Sequence, residues 1–168
     1  MRIYLLGFMG AGKSFWGKQL SKKLQYPLLD LDNYIEEQEG KTINNIFLEN
    51  GEEYFRQLEQ KYLQTLSQNN QDIIISCGGG TPCFFNNIDF MNEQGVTVWL
   101  NIPEDIILGR LRQNKQKRPL IKDLDDTALR QYIQKKMAER KMYYAQSKIK
   151  VDDAQIDLDK LVNDIENA

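Results

Sequence analysis

The 168-residue chain has no histidine and only two cysteines, Cys77 and Cys83. Their scarcity excludes a His-based catalytic triad, an imidazole acid or base, and a four-ligand zinc site of Cys/His type. Chemistry in this chain must come from Asp, Arg, Lys, Ser and backbone amides. No stretch approaches the roughly 18 apolar residues of a membrane helix, and residues 1 to 6 read as a strand rather than a signal sequence; a cytoplasmic protein without a membrane partner is expected. Charge of one sign is also missing, since 22 Lys and Arg face 24 Asp and Glu for a formal net charge of -2. That balance gives no global attraction for nucleic acid. With no internal repeat and no Gly/Ser linker, one domain over residues 1–168 is expected, long enough to bury a core without disulfides or structural metal.

What is present alternates. Strand-like segments at Arg2–Leu6, Pro27–Leu31, Asp72–Ser76, Val96–Asn101 and Ile149–Val151 are separated by helical ones. The helices are expected at Lys13–Gln25, in pieces over Asn33–Asn69, and at Phe84–Glu93, Glu104–Gln113, Asp125–Ser147 and Asp159–Glu166. Strands spaced by helices imply an α/β fold, a parallel sheet with helices on both faces. One segment departs from this rhythm. RLRQNKQKRPLIK, Arg110 to Lys122, carries six basic residues and no acidic one, and Pro119 disfavours helix at Arg118. It reads as a mobile basic flap opposite a phosphate site.

The phosphate site is the stretch GFMGAGKS, residues 7 to 14. Gly7-x4-Gly12-Lys13-Ser14 satisfies the P-loop pattern, in which backbone N–H groups wrap a phosphate, the lysine reaches the β/γ oxygens and the hydroxyl ligates Mg²⁺. It follows a strand and opens a helix with the apolar positions Phe15, Leu20 and Leu24, so the phosphate sits at a helix N-terminus.

Other residues must define the acceptor. Asp30 and Asp32 end the second strand at the carboxyl edge of the sheet, where open α/β folds bind ligands. Asn33 and Glu36 form a capping-box-like pair that leaves Asp32 available. Asp30 is placed to hold Mg²⁺ directly or through water, and Asp32 to receive a hydroxyl proton. The third strand runs into Gly78-Gly79-Gly80 without an acidic Walker B residue, and glycines there let backbone amides approach a ligand. Arg56 flanks the apolar stripe Phe55, Leu58, Tyr62 and Leu66; an i,i+4 pair with Glu52 and contact with a ligand both remain open. Arg140 falls among Leu129, Ile133, Met137 and Tyr144, where an unpaired guanidinium is costly, so it requires an anion. Two arginines, an aspartate and a glycine turn suit a small acceptor with a carboxylate and hydroxyls. Cys77 and Cys83 are assigned no catalytic role.

Taken in order, GFMGAGKS, Asp30-Leu31-Asp32, Tyr54-Phe55-Arg56, Gly78-Gly79-Gly80, Arg118-Pro119, and Glu139-Arg140 with Tyr144 resemble the shikimate kinase family over nearly the whole chain. The resemblance implies a P-loop kinase fold with a five-stranded parallel sheet, an acceptor-binding region at about 31–60 and a lid at about 111–124. It implies ATP-dependent phosphorylation of the 3-hydroxyl of shikimate, giving ADP, in aromatic amino-acid biosynthesis, by a monomer using one Mg²⁺. Carried over, the amides of Gly10, Ala11, Gly12, Lys13, Ser14 and Phe15 bind ATP phosphates, and Ser14 and Asp30 hold the metal. Asp32 is the candidate base, Arg56 and Arg140 hold the acceptor carboxylate, and Gly78, Gly79 and Gly80 border the acceptor. Arg118 stabilises the transferring phosphoryl group and Arg110 packs on adenine. Two departures stand out: Cys77 replaces the threonine often found before the glycines, and the stretch from Arg110 to Arg118 is one residue longer than usual.

Two rivals share part of this pattern. A nucleoside monophosphate kinase would keep the P-loop and lid but differ in Asp32, Arg56 and Arg140. A regulatory ATP-binding module would be expected to lose Lys13, Asp32 or Arg118, and none is lost.

Overall fold

A computed structural model describes all residues from Met1 to Ala168. Five strands, β1 (Arg2–Leu6), β2 (Leu28–Asp30), β3 (Ile73–Ser76), β4 (Val96–Leu100) and β5 (Ile149–Val151), form one sheet in the order β2-β3-β1-β4-β5. Every pairing is parallel. Eight helices connect and cover it: α1 (Lys13–Leu24), α2 (Leu31–Glu39), α3 (Ile43–Asn50), α4 (Glu52–Asn69), α5 (Asn87–Gln94), α6 (Glu104–Asn114), α7 (Asp126–Tyr144) and α8 (Leu158–Glu166).

The strands are apolar on both sides, as a sheet covered by helices requires. In β1, alternate residues serve opposite cores. Ile3 and Leu5 join Leu20 of α1, Ile107 of α6, Ile133 of α7 and Leu161 of α8. Tyr4 and Leu6 join Ile35 of α2, Leu63 of α4 and Met91 of α5. The chain leaves β1 for β2 on one side of it and later reaches β4 on the other. This reversal opens a crevice at the carboxyl ends of β1, β2 and β3, the ordinary ligand position in such sheets.

Three local expectations are corrected. Helix α2 begins at Leu31, and its N-cap is Asp30, whose Oδ1 accepts the Asn33 amide at 3.0 Å; the Asn33/Glu36 pair is not a capping box, and Glu36 instead accepts the amide of Ile43. Asp32 is left free in the first turn, as expected but for a different reason. Phe15 is 57% exposed and does not face the core, because the face of α1 on the sheet is built from Gly17 and Leu20. The basic run is only partly a flap: its first residues, through Asn114, belong to α6, in keeping with the helix expected at Glu104–Gln113. A 3-10 turn over Lys115–Lys117 follows, and buried Ile121 ties the connection to the core beside Leu111 and Leu129.

Candidate active site

The P-loop takes its shape from glycines with positive φ, at 147° for Gly7, 81° for Gly10 and 92° for Gly12. Gly7 also passes so near Leu100 that a Cβ would lie 2.9 Å from the Leu100 carbonyl oxygen. Gly12 begins α1 with no side-chain cap, and no acidic residue occupies the first turn. The amides of Gly10, Gly12, Lys13, Ser14 and Phe15 donate to no backbone carbonyl, whereas Ala11 closes the loop onto Phe8 at 3.1 Å. Unpaired amides at a helix N-terminus form an anion cradle. Lys13 Nζ folds back over it, donating to the carbonyls of Gly7 at 2.6 Å and Phe8 at 3.0 Å. Burial lowers the Lys13 pKa to about 8, against the opposing charges of Asp32 and Asp30; a bound phosphate would restore the charged form.

This loop forms one end of a cavity of about 730 Å³, whose other end gathers Asp32, Arg56, Glu59, the three glycines and Arg140. Each glycine serves a different side chain. A Cβ on Gly78 would lie 3.0 Å from Asp32 Oδ1 and 3.2 Å from Glu59 Oε2; on Gly79, 2.7 Å from Arg140 Nη1; on Gly80, 2.6 Å from Arg56 Nη2. None of the three has positive φ. They are glycines because charged groups lie directly against their α-carbons.

Glu59 organises this end. It is fully buried, pairs with Arg56 Nη1 at 3.0 Å through Oε1, and accepts the Thr81 hydroxyl at 2.6 Å through Oε2. Arg56 also reaches Glu52 at 3.4 Å and lies over the Phe84 ring at 4.2 Å. The ion pair expected with Glu52 therefore exists, yet the buried partner is Glu59. Asp32 is pushed up to about 6, first by burial and then by the charges of Glu59 and Asp30, with Lys13 and Arg56 opposing. A carboxyl poised near neutrality suits a proton acceptor. Arg140 has no carboxylate within ion-pairing distance; it is held between the Phe8 ring, 5.5 Å away, and Gly79, whose carbonyl accepts the Tyr144 hydroxyl at 2.5 Å.

Arg118 lines the same cavity from the connection before α7, and burial lowers its pKa. Arg110 reaches the cavity from α6 and donates to the Gly10 carbonyl at 2.8 Å, bracing the phosphate loop. No group of three or more acidic, His or Cys side chains is assembled for an all-protein metal cage. Mg²⁺ needs none, since it keeps several waters and takes one or two carboxylates plus phosphate oxygens. The second oxygen of Asp30 and the exposed hydroxyl of Ser14 border the cavity beside the cradle, a donor set that fits such an ion. Burial raises the thiol of Cys77 well above its ordinary range and that of Cys83 to about 11, so neither is an activated nucleophile.

The cavity thus brings together Gly10, Gly12, Lys13, Ser14, Phe15, Asp30, Asp32, Arg56, Gly78, Gly79, Gly80, Arg110, Arg118 and Arg140; of the expected residues only buried Ala11 is absent from its lining. Glu59 was missed. Its signal was available, because it projects onto the α4 face of Phe55, Tyr62, Leu63 and Leu66, where an unpaired acid would be costly.

Comparison with known proteins finds relatives over nearly the whole chain. The profile of a family described as shikimate kinase matches residues 9–168. A shikimate kinase of Bacteroides thetaiotaomicron is 43% identical over 147 residues, covering 88% of this chain and 83% of that protein. The 1.7 Å crystal structure of shikimate kinase from the same organism superposes with a TM-score of 0.89 at 38% identity, over 99% of this chain and 95% of that one. Shikimate kinase from Acinetobacter baumannii in complex with shikimate gives a TM-score of 0.84 at 30% identity, over 99% and 90%.

Proposed function

The chain belongs to the shikimate kinase family, and we infer from that premise that it phosphorylates shikimate, passing the γ-phosphoryl group of ATP to the 3-hydroxyl with release of ADP. One observation carries the reading at the level of residues: a cradle of unpaired amides and a corner holding Arg56, Arg140 and Asp32 occupy two ends of the same cavity.

At the donor end, the unpaired amides of the loop hold the phosphates, and Lys13 exchanges its two loop carbonyls for phosphate oxygens. Ser14 and Asp30 would hold Mg²⁺, which would supply positive charge against the nucleotide phosphates. At the acceptor end, Arg56 and Arg140 take the carboxylate. Arg56 is oriented by Glu59, whereas Arg140 is left without an internal counter-ion and gains one from the substrate. Asp32 accepts the hydroxyl proton, and its position beside Gly78 places it between the clamp and Lys13. Arg118, on the connection between α6 and α7, stabilises charge on the group in transit. Phosphoryl transfer depends on alignment and charge neutralisation more than on covalent help, which this residue set supplies. The chain acts as a cytoplasmic monomer without a membrane partner, and its nearly balanced charge supports a reaction that needs no nucleic acid.

Equilibrium titration of Arg140→Ala tests the assignment. Shikimate binding should weaken at least tenfold while ATP binding in its absence is retained, because a guanidinium–carboxylate bond is worth about 1.5–3 kcal/mol. Equal loss of both affinities would mean that Arg140 supports the fold instead of the acceptor.

A further inference from the structure

A second cavity, of about 550 Å³, opens between α7 and the carboxyl half of β4. Trp99 and Ile107 supply buried apolar wall, and space remains because α7 turns Ala138 and Ala145 toward it. Its lining includes Lys141 and Lys150 but no carboxylate. Lys150 lies 5.2 Å from the Trp99 ring centroid and is paired with Asp152 at 3.1 Å. Lys141 is exposed and makes no ion pair. An apolar slot beside an aromatic ring, with an unpaired cation at its mouth, matches a small ligand that has one flat apolar end and one anionic end.

The cavity shares walls with the acceptor corner. Phe8 lies under the Arg140 guanidinium, Tyr144 donates to the Gly79 carbonyl, and both also line this second cavity. The Trp99 and Tyr144 rings are 5.7 Å apart, so a molecule against Trp99 adjoins the residue that holds Gly79. We propose that this cavity binds an aromatic monocarboxylate, its ring against Trp99 and its acid on Lys141, and that occupancy alters acceptor affinity through Tyr144 and Phe8. The binding is independent of the acceptor assigned above; the coupling rests on it.

Trp16 and Trp99 are the two tryptophans, so Trp16→Phe leaves a single fluorophore inside the cavity. Titrating that protein with 3-phenylpropionate, without ATP, should give a saturable change in emission with a roughly millimolar dissociation constant. Lys141→Glu, a surface change, should weaken binding about tenfold, and 3-phenylpropylamine should not bind. Saturating shikimate should change the probe's dissociation constant by the same factor that the probe changes shikimate's. Absence of a saturable signal, or an unchanged one in Lys141→Glu, would overturn the site. A probe affinity indifferent to shikimate, in protein shown separately to bind shikimate, would overturn the coupling. Since no turnover is read, these results are distinct from failure of the kinase assignment.

Discussion

Replacing Glu59 by Gln should move the acid limb of the pH profile to lower pH. Asp32 Oδ1 and Glu59 Oε2 lie 3.0 and 3.2 Å from the point where a Gly78 Cβ would sit, so at most about 6 Å separates them. At an effective dielectric near 20, two like charges at that distance repel by about 3 kcal/mol. Arg56, 3.0 Å from Glu59, cancels part of this. A remainder of about 1.4 kcal/mol corresponds to about one pH unit. Asp32 accepts a proton only when ionised, so activity falls as pH drops through its pKa of about 6. Removing the Glu59 charge favours ionised Asp32 and lowers that pKa. At pH 5 the kcat/KM for shikimate, relative to each enzyme's own plateau, should rise from about a tenth to about a half. The variant's plateau itself should drop, because Arg56 loses its buried anchor. Both enzymes are to be assayed with saturating ATP and Mg²⁺, so titrations of the substrates cancel in the comparison. An acid limb that stays in place, or moves up, would refute the reasoning that Glu59 sets the state of Asp32.

Other consequences follow from the same corner. Asp32→Asn should abolish turnover yet raise thermal stability at pH 7: a carboxyl with a higher pKa folded than unfolded costs stability as pH rises from about 4 to 6, here about 1–3 kcal/mol, so the melting temperature should gain a few degrees. An unchanged or lower melting temperature would contradict the unfavourable burial of its charge. Gly79→Ala should raise KM for shikimate at least severalfold with little loss of melting temperature, because the added methyl meets the mobile end of Arg140 at 2.7 Å instead of backbone; normal KM would show that the guanidinium position is not critical. Arg118→Ala should lower kcat far more than it raises KM for shikimate, since its charge is needed only during transfer. Near-normal kcat in that variant would remove Arg118 from the mechanism.

Much of the architecture was legible in local pattern. Apolar runs such as Ile73-Ile74-Ile75 marked covered strands, and GFMGAGKS marked the turn between β1 and α1. The errors arose where two local signals compete. Asn33 and Glu36 imitate a capping box, but Asp30 caps α2 three residues earlier and shifts the helix start. The flap reading, which begins at Arg110, overlaps the helix expected at Glu104–Gln113; the helix prevails through Asn114, because Pro119 restricts only its neighbour Arg118. Phe15 is an apolar position of α1 yet lies exposed, because the sheet packs against Gly17: a Cβ on Gly17 would already approach Leu28 to 3.0 Å.

Residues of the site were visible as types, but the reasons for them were partly hidden. The glycine triplet suggested backbone contact with a ligand. In the structure, the glycines also make room for charged groups brought from α2, α4 and α7 by tertiary packing that local spacing does not encode. Glu59 is the instructive omission. Read alone, it is one more acid on an amphipathic helix; once Arg56, Thr81 and Asp32 surround it, it links the carboxylate clamp to the candidate base.

The central claim is that one cavity presents a γ-phosphate to a carboxylated polyol. It is tested most directly by coupled ADP release with ATP and Mg²⁺, comparing shikimate, gluconate and nucleoside monophosphates as acceptors. ADP release that depends on shikimate, with neither alternative comparable, is the predicted result. Release independent of shikimate, or faster with a nucleoside monophosphate, would contradict it.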